Sequence, residues 1–213
     1  MRLTYTFAAA LFAAATLFPA APAPAAEHGE GEELIMPTLG DDGLYHQDWF
    51  LNSFLMLGED HRTAADADKR FVVFFEQKGC PYCEKMQTEV LSQPHVNRYV
   101  RENFEVLQLD LWGSRTVTDF RGEEMPEKRF AQQCAVTFTP TLIFFAEDPA
   151  AAEGKTCKEA EVFRLPGFFR PFHFMSAFMY VDEKRYAEGQ NFQRYIMERV
   201  QEEQAAGNES PAE

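Results

Sequence analysis

The sequence predicts an α/β fold in which a mixed sheet carries helices on both faces. Two observations support this prediction. In the first part of the chain, apolar strand runs alternate with helical stripes, which favours parallel strands joined by helices. Two later runs, at 136–145 and 162–165, have no helical pattern between them and predict an antiparallel pair. A chain of 213 residues is long enough for one well-buried domain with added segments.

The first 26 residues have the features of a secretory signal peptide. Arg2 is their only charge, residues 7–18 form an apolar run, and small residues at 20–26 suit cleavage. The run is too short and wrongly flanked for a membrane span. We therefore expect an exported, soluble, periplasmic protein, in a compartment where disulfides persist.

Charge and composition divide the rest of the chain. The sequence has 34 Asp and Glu residues against 20 Lys and Arg, a net charge of −14, which argues against nucleic acid or an anionic membrane as a partner. Residues 27–47 are charged and Gly-rich, and they predict a mobile N-terminal segment. The domain is expected over residues 48–200, followed by a polar tail at 201–213.

The predicted domain begins with a helix and continues into a buried strand. Asp48 is suited to cap a helix. Five consecutive apolar residues at 71–75 then predict a strand buried on both faces. The apolar stripe of the helix consists of Phe50, Leu51, Phe54, Leu55 and Leu57.

The later elements alternate between helices and strands. Pro94 begins a helix, and the alternation at 107–111 predicts a strand. Residues 112–124 predict an insertion or hairpin, and Pro126 begins a helix that ends near Cys134. The strand pair is joined by a loop at 147–160. Two final helices are predicted by the stripes Phe174, Met175, Phe178 and Met179, and Phe192, Tyr195, Ile196 and Val200.

A Cys-x-x-Cys motif follows the first strand. Pro81, directly after Cys80, suits the first position of a helix, and Cys83 begins the apolar stripe of that helix. Cys80 is therefore expected at a helix N-terminus, where free N–H groups and the helix dipole favour a thiolate. This context predicts redox chemistry, with Cys80 as the attacking thiol and Cys83 as the resolving thiol.

Zinc binding and a purely structural disulfide are the competing interpretations of the motif. A zinc site would need a second pair of ligands at suitable spacing, but Cys134 and Cys157 are 23 residues apart and have no nearby histidine. We therefore predict no metal site and no cofactor. Whether Cys134 and Cys157 form a second disulfide is left open, because Cys157 lies in a loop expected to point away from Cys134.

The chain resembles the thioredoxin superfamily over residues 70–182. The resemblance is carried by the order of the elements, with Cys80-Pro-Tyr-Cys83 after the first strand and Thr139-Pro140 at the start of the third. Residues 48–50, 74–83, 138–141 and 166–174 look like the exported thioredoxins of the SoxW type. Those proteins are associated with bacterial sulfur oxidation and with periplasmic thiol reduction.

The resemblance implies roles for the residues near the motif. Pro140 would be cis and face the cysteine pair, and Thr139 would bind an extended substrate through its backbone. Pro81 and Tyr82, between the cysteines, would also contact the substrate.

The chain also departs from the thioredoxin pattern. Gly79 replaces the usual Trp before the first cysteine, and Pro-Tyr replaces Gly-Pro between the pair. Phe74 stands where thioredoxins carry a buried Asp. Glu76 is the nearest carboxylate in the strand and is a candidate to take a proton from Cys83; the alternative is a Glu solvated at a strand end.

These residues predict a monomeric thiol–disulfide oxidoreductase that reduces protein disulfides and is recharged by a membrane or periplasmic electron donor. Sulfur oxidation and cytochrome maturation are the expected settings. An oxidant or isomerase is the first alternative, since Pro81-Tyr82 and the Thr before Pro140 suit it. A non-enzymatic redox-sensitive binding module is the second, and the intact Cys-x-x-Cys argues against it.

Overall fold

The structure is a computed structural model that describes residues 32–208. The predicted signal peptide lies outside the described residues. Between residues 32 and 208, no helix is long and apolar enough to cross a membrane. The elements are β1 (Thr38–Leu39), β2 (Tyr45–His46), α1 (Leu57–Asp66), β3 (Arg70–Glu76), α2 (Pro81–Lys85), a π-helical segment (Met86–Val90), α3 (Pro94–Asn103), β4 (Phe104–Asp110), β5 (Thr116–Thr118), β6 (Glu124–Pro126), α4 (Glu127–Gln133), β7 (Thr141–Phe145), a 3-10 turn (Pro149–Ala151), α5 (Cys157–Ala160), β8 (Glu161–Pro166), α6 (Pro171–Asp182) and α7 (Phe192–Asn208).

The central sheet is mixed, as predicted. Its strand order is β4-β3-β7-β8. Strand β3 is parallel to β4, to which it is joined through helices, and antiparallel to β7. Strands β7 and β8 form the expected antiparallel pair.

Both faces of the sheet are covered, because side chains alternate along each buried strand. In β3, Phe71, Val73 and Phe75 belong to one core cluster, whereas Val72 and Phe74 belong to the other. Helices α1 and α4 contribute to the first cluster, and the π-helical segment, α3 and α6 contribute to the second. The prediction of helices on both faces is confirmed.

The first predicted helix was placed too early. Asp48 caps no helix, because residues 48–56 are irregular and α1 begins at Leu57. The Leu51 N–H donates to the carbonyl of Val106, 2.9 Å away, so the segment runs along the edge of β4. Phe50 packs on one core cluster and Leu51 on the other, which is the alternation of an extended chain.

Part of the segment predicted to be mobile is folded. Strands β1 and β2 pair as an antiparallel hairpin, which we call the N-terminal hairpin (residues 38–46). Leu44 is buried, and the Tyr45 carbonyl accepts a hydrogen bond of 2.8 Å from the side chain of Gln108. Strands of two residues have no readable periodicity, and tertiary contacts anchor them instead.

Two other bounds differ from the prediction, and two connecting segments contain short elements. Helix α7 continues to Asn208, so residues 201–208 of the predicted tail are helical. Strand β7 begins only after Pro140, at Thr141. The loop at 147–160 contains the 3-10 turn and α5. The predicted insertion at 112–124 forms the β5–β6 hairpin.

Candidate active site

The Cys-x-x-Cys motif lies at the end of β3 and the start of α2. Gly79 has φ +71°, a conformation that glycine adopts without strain, and no atom would contact a Cβ added there. The turn therefore selects glycine for its backbone. Cys80 is the N-cap of α2, Pro81 is its first residue, and Cys80 and Cys83 form a disulfide.

Two hydrogen-bond donors point at the sulfur of Cys80. The Cys83 N–H donates to Sγ across 3.1 Å, and the Thr139 hydroxyl donates across 3.3 Å. Cys80 is 8% exposed and Cys83 4%, so both residues are largely shielded from water. After reduction, the same donors would stabilise a Cys80 thiolate and not one at Cys83. Nothing in the sequence pattern indicated a role for the Thr139 hydroxyl.

The other residues of the predicted substrate site lie around the disulfide. The Thr139–Pro140 peptide bond is cis, and the Thr139 carbonyl oxygen lies 3.6 Å from the Cys80 sulfur. Pro81 is exposed, and Tyr82 is 59% exposed, with its ring centroid 6.3 Å from that of Phe168.

Glu76 is buried, not solvated at a strand end. It is 1% exposed and lies on the same face of β3 as Phe74, one pleat closer to the motif. Its Oε2 atom accepts hydrogen bonds from the Nε2 atoms of Gln87, at 2.9 Å, and Gln108. Burial raises its pKa to about 8, although the two amide hydrogen bonds act in the opposite direction.

A cavity of about 320 Å³ joins Glu76 to the disulfide. Glu76, Cys80 and Cys83 all line it. The N-terminal hairpin forms the opposite wall, and the Tyr45 hydroxyl is hydrogen-bonded to Glu84 of α2, which raises the pKa of Tyr45. Part of the segment predicted to be mobile therefore forms one wall of the candidate site.

The second cysteine pair lies in the core. Cys134 and Cys157 form a disulfide, and both are fully buried in the cluster that α1 and α4 share. The 147–160 loop folds back on α4, with Thr156 and Glu159 forming a capping box at the start of α5. This fold-back brings Cys157 to Cys134, which the expected direction of the loop did not indicate.

Metal ligands do not cluster in this part of the chain. Among residues 32–208, no group of three or more His, Cys, Asp and Glu side chains could hold a metal ion.

Comparisons with known proteins give one matching family model and several solved structures with partial similarity. The family model described as a thioredoxin-like domain matches residues 57–181. No curated protein matches the chain. A thioredoxin-fold protein from Helicobacter pylori is 20% identical (TM-score 0.49), covering 63% of this chain and 86% of its own. A thioredoxin from Thermus thermophilus is 26% identical (TM-score 0.48; 63% and 90%), and a DsbH oxidoreductase is 18% identical (TM-score 0.36; 61% and 86%).

Proposed function

Since the chain belongs to the thioredoxin-like domain family, we propose that it is a thiol–disulfide oxidoreductase that reduces protein disulfides. The observation that carries the proposal is the setting of the Cys80 sulfur, which receives hydrogen bonds from the Cys83 N–H and the Thr139 hydroxyl. Both donors favour the thiolate, the reactive form of a cysteine.

The reaction is a two-step exchange. The Cys80 thiolate attacks one sulfur of a substrate disulfide, forms a mixed disulfide and expels the first substrate thiolate. The Cys83 thiolate then attacks the Cys80 sulfur and expels the second substrate thiolate. The two thiolates take up protons, so the substrate gains two electrons and the protein keeps the Cys80–Cys83 disulfide.

Glu76 serves the second step. Cys83 must lose its proton before it attacks, and Glu76 lines the same cavity as Cys83. A buried carboxyl with a pKa of about 8 is well matched to a thiol, because the two groups exchange a proton with little loss of free energy.

The substrate is an extended protein segment that carries a disulfide. The backbone of Thr139 binds it by strand-like hydrogen bonds, next to the exposed faces of Pro81 and Tyr82. The protein works in the periplasm as a monomer, and a membrane or periplasmic donor reduces it again. The SoxW-like segments suggest a sulfur-oxidation or cytochrome-maturation setting.

Disulfide oxidation is the second candidate function. Donors that stabilise the Cys80 thiolate stabilise the reduced protein, which makes the disulfide more oxidising. The reduction potential of the Cys80–Cys83 pair distinguishes the two directions. A value near about −270 mV supports a reductase, and one between about −180 and −120 mV supports an oxidant or isomerase.

Cysteine substitutions test the exchange itself. We expect Cys80→Ser to abolish reduction of a peptide disulfide, because the attacking sulfur is lost. Cys83→Ser should accumulate a mixed disulfide with the same peptide, detectable by mass spectrometry under non-reducing conditions. If either variant reduced the peptide at the parent rate, the proposed function would be wrong.

A further inference from the structure

Two buried glutamines hold the Glu76 carboxyl by one of its oxygens. Gln87 is fully buried and Gln108 is 8% exposed, and both donate their amide hydrogens to Oε2. The other oxygen, Oε1, is buried and has no hydrogen-bond partner among the described residues. An unpaired buried oxygen raises the free energy of the folded state. The difference between the two carboxyl oxygens therefore needs an explanation.

The fold brings the two amides to Glu76 from two directions. Gln108 lies on β4, whose register pairs it with Phe74, so it lies on the same face of the sheet as Glu76. Gln87 lies in the helical segment that continues α2. It follows Cys83 by four residues and therefore lies on the same side of the helix as Cys83. It belongs to the π-helical segment, where the Leu91 N–H reaches back five residues to the carbonyl of Met86. Such segments often occur at functional sites.

Further contacts fix which end of each amide faces Glu76. The Gln108 Nε2 atom also donates to the Tyr45 carbonyl. The Gln87 Oε1 atom accepts a hydrogen bond of 3.2 Å from Gln47, whose own oxygen accepts one from Asn97. The amide nitrogens are therefore directed at Glu76. Because Oε2 accepts two hydrogen bonds, a proton on the carboxyl belongs on Oε1.

We propose that Gln87 and Gln108 are positioning residues that hold Glu76 by Oε2 and leave Oε1 to exchange a proton with the Cys83 thiol. This inference rests on the proposed function. When a donor thiolate attacks Cys80, the Cys80–Cys83 bond breaks, and the leaving Cys83 thiolate takes the proton from Oε1. When the protein reduces a substrate, the Cys83 thiol returns that proton to Oε1 and the resulting thiolate attacks Cys80.

Other ionisable groups surround Glu76. Asp42 of the N-terminal hairpin raises its pKa further by repulsion. Asp110 is its register partner on β4. The other ionisable residues near Glu76 line the cavity next to the Cys80–Cys83 disulfide, and they are Tyr45, Lys78, Cys80, Cys83 and Glu84. The test must therefore isolate the titration that belongs to Glu76.

The experiment measures single-turnover reduction of a peptide disulfide by the reduced full-length protein as a function of pH. The Glu76 titration is the part of the pH profile that Glu76→Gln removes. Gln87→Met and Gln108→Met remove one donor each at similar volume. Because the donors stabilise the carboxylate, we expect each variant to raise the midpoint of that titration by about one pH unit.

Gln133→Met is the matched control. Gln133 is a partly buried glutamine that contacts Asp119 and the backbone of Cys157 and does not touch Glu76. It should leave the midpoint unchanged. If Gln87→Met and Gln108→Met also left it unchanged, the positioning role would be excluded. If the parent reduced no disulfide at all, the proposed function itself would fail.

An infrared measurement covers the case in which a glutamine variant does not fold. The spectrum of the oxidised parent minus that of Glu76→Gln, taken below the Glu76 pKa, isolates the protonated Glu76 carboxyl. Its C=O stretch should be shifted to low frequency, because Oε2 accepts two hydrogen bonds. A stretch at the frequency of a carbonyl without hydrogen bonds would overturn the inference.

Discussion

The two disulfides of this chain have opposite settings. Cys80–Cys83 spans three positions at a helix start, beside a cavity that the buried residue Glu76 also lines. Cys134–Cys157 spans 23 positions and lies in an apolar core next to Phe130 and Ala131. The first has polar donors directed at one sulfur, and both sulfurs of the second belong to fully buried residues.

This contrast separates a pair suited to react from a pair suited to stabilise. A disulfide stabilises a protein mainly by limiting the unfolded chain, and the effect grows with the length of the closed loop. The Cys80–Cys83 disulfide closes a short loop and therefore stabilises the protein little in this way. Its surroundings instead lower the stability, since they bury a carboxyl with an unpaired oxygen.

The largest expected effect concerns the pH dependence of stability that Glu76 produces. Its pKa is about 8 in the folded protein against an ordinary value of 4.5, so only the folded state keeps the proton between these pH values. Glu76 therefore stabilises the fold fully below pH 4.5, and this contribution is lost as the pH rises to 8. Relative to Glu76→Gln, the parent should lose about 4 kcal/mol of unfolding free energy across that range.

Urea unfolding of the two oxidised proteins at a series of pH values measures this difference. Ionisable groups that do not interact with Glu76 contribute equally to both proteins and cancel in the comparison. A difference that did not change with pH would mean that Glu76 is ionised in the folded protein. The proposed proton exchange with Cys83 would then lose its basis.

The second effect concerns the buried pair. Replacing both Cys134 and Cys157 by Ala opens the long loop and should lower the unfolding free energy by about 3 kcal/mol. The rate of peptide disulfide reduction should stay within about twofold of the parent, because neither residue lines the cavity next to Cys80. Denaturant unfolding and the exchange assay on the same protein sample test both expectations.

The matched variant for this comparison replaces Cys80 and Cys83 by Ala. It should lose all exchange and lose less stability, because the loop it opens is shorter. If the Cys134 and Cys157 variant lost its exchange activity while still folded, the division between a reactive and a stabilising pair would be wrong.

The reactive pair was more predictable from sequence than the buried pair. Gly79, Cys80 and Pro81 are consecutive, and local rules for helix starts and turns fix their arrangement. The strands were likewise readable because alternation and apolar runs are local signals. Cys134 and Cys157 meet only because a 14-residue loop folds back, and no local pattern encodes that fold-back.

The contacts of Glu76 could not be predicted from the sequence for a similar reason. Gln47, Gln87 and Gln108 are far apart in sequence, and a glutamine is usually an exposed residue. The sequence does place Glu76 and Phe74 on one face of a strand. The burial of Glu76, however, depends on the N-terminal hairpin and on α2 with the π-helical segment that continues it. Both belong to tertiary structure, as does the extended segment that follows Asp48.

The smallest expected effect concerns the Thr139 hydroxyl, which donates a hydrogen bond to the sulfur of Cys80. Thr139→Val removes the hydroxyl that donates to the Cys80 sulfur and keeps the backbone that faces the substrate. We expect the pKa of the Cys80 thiol in the reduced protein to rise by about one unit, because a hydrogen bond to the thiolate is lost. Ultraviolet absorbance of the thiolate as a function of pH measures this shift.

Thr141→Val is the control for this last change. The Thr141 hydroxyl donates to the Phe138 carbonyl, 2.9 Å away, so its loss perturbs the same loop without removing a donor to Cys80. It should leave the thiol pKa unchanged. Equal shifts in the two variants would assign the effect to the loop as a whole, whereas a shift in Thr139→Val alone shows that one hydroxyl helps to make Cys80 reactive.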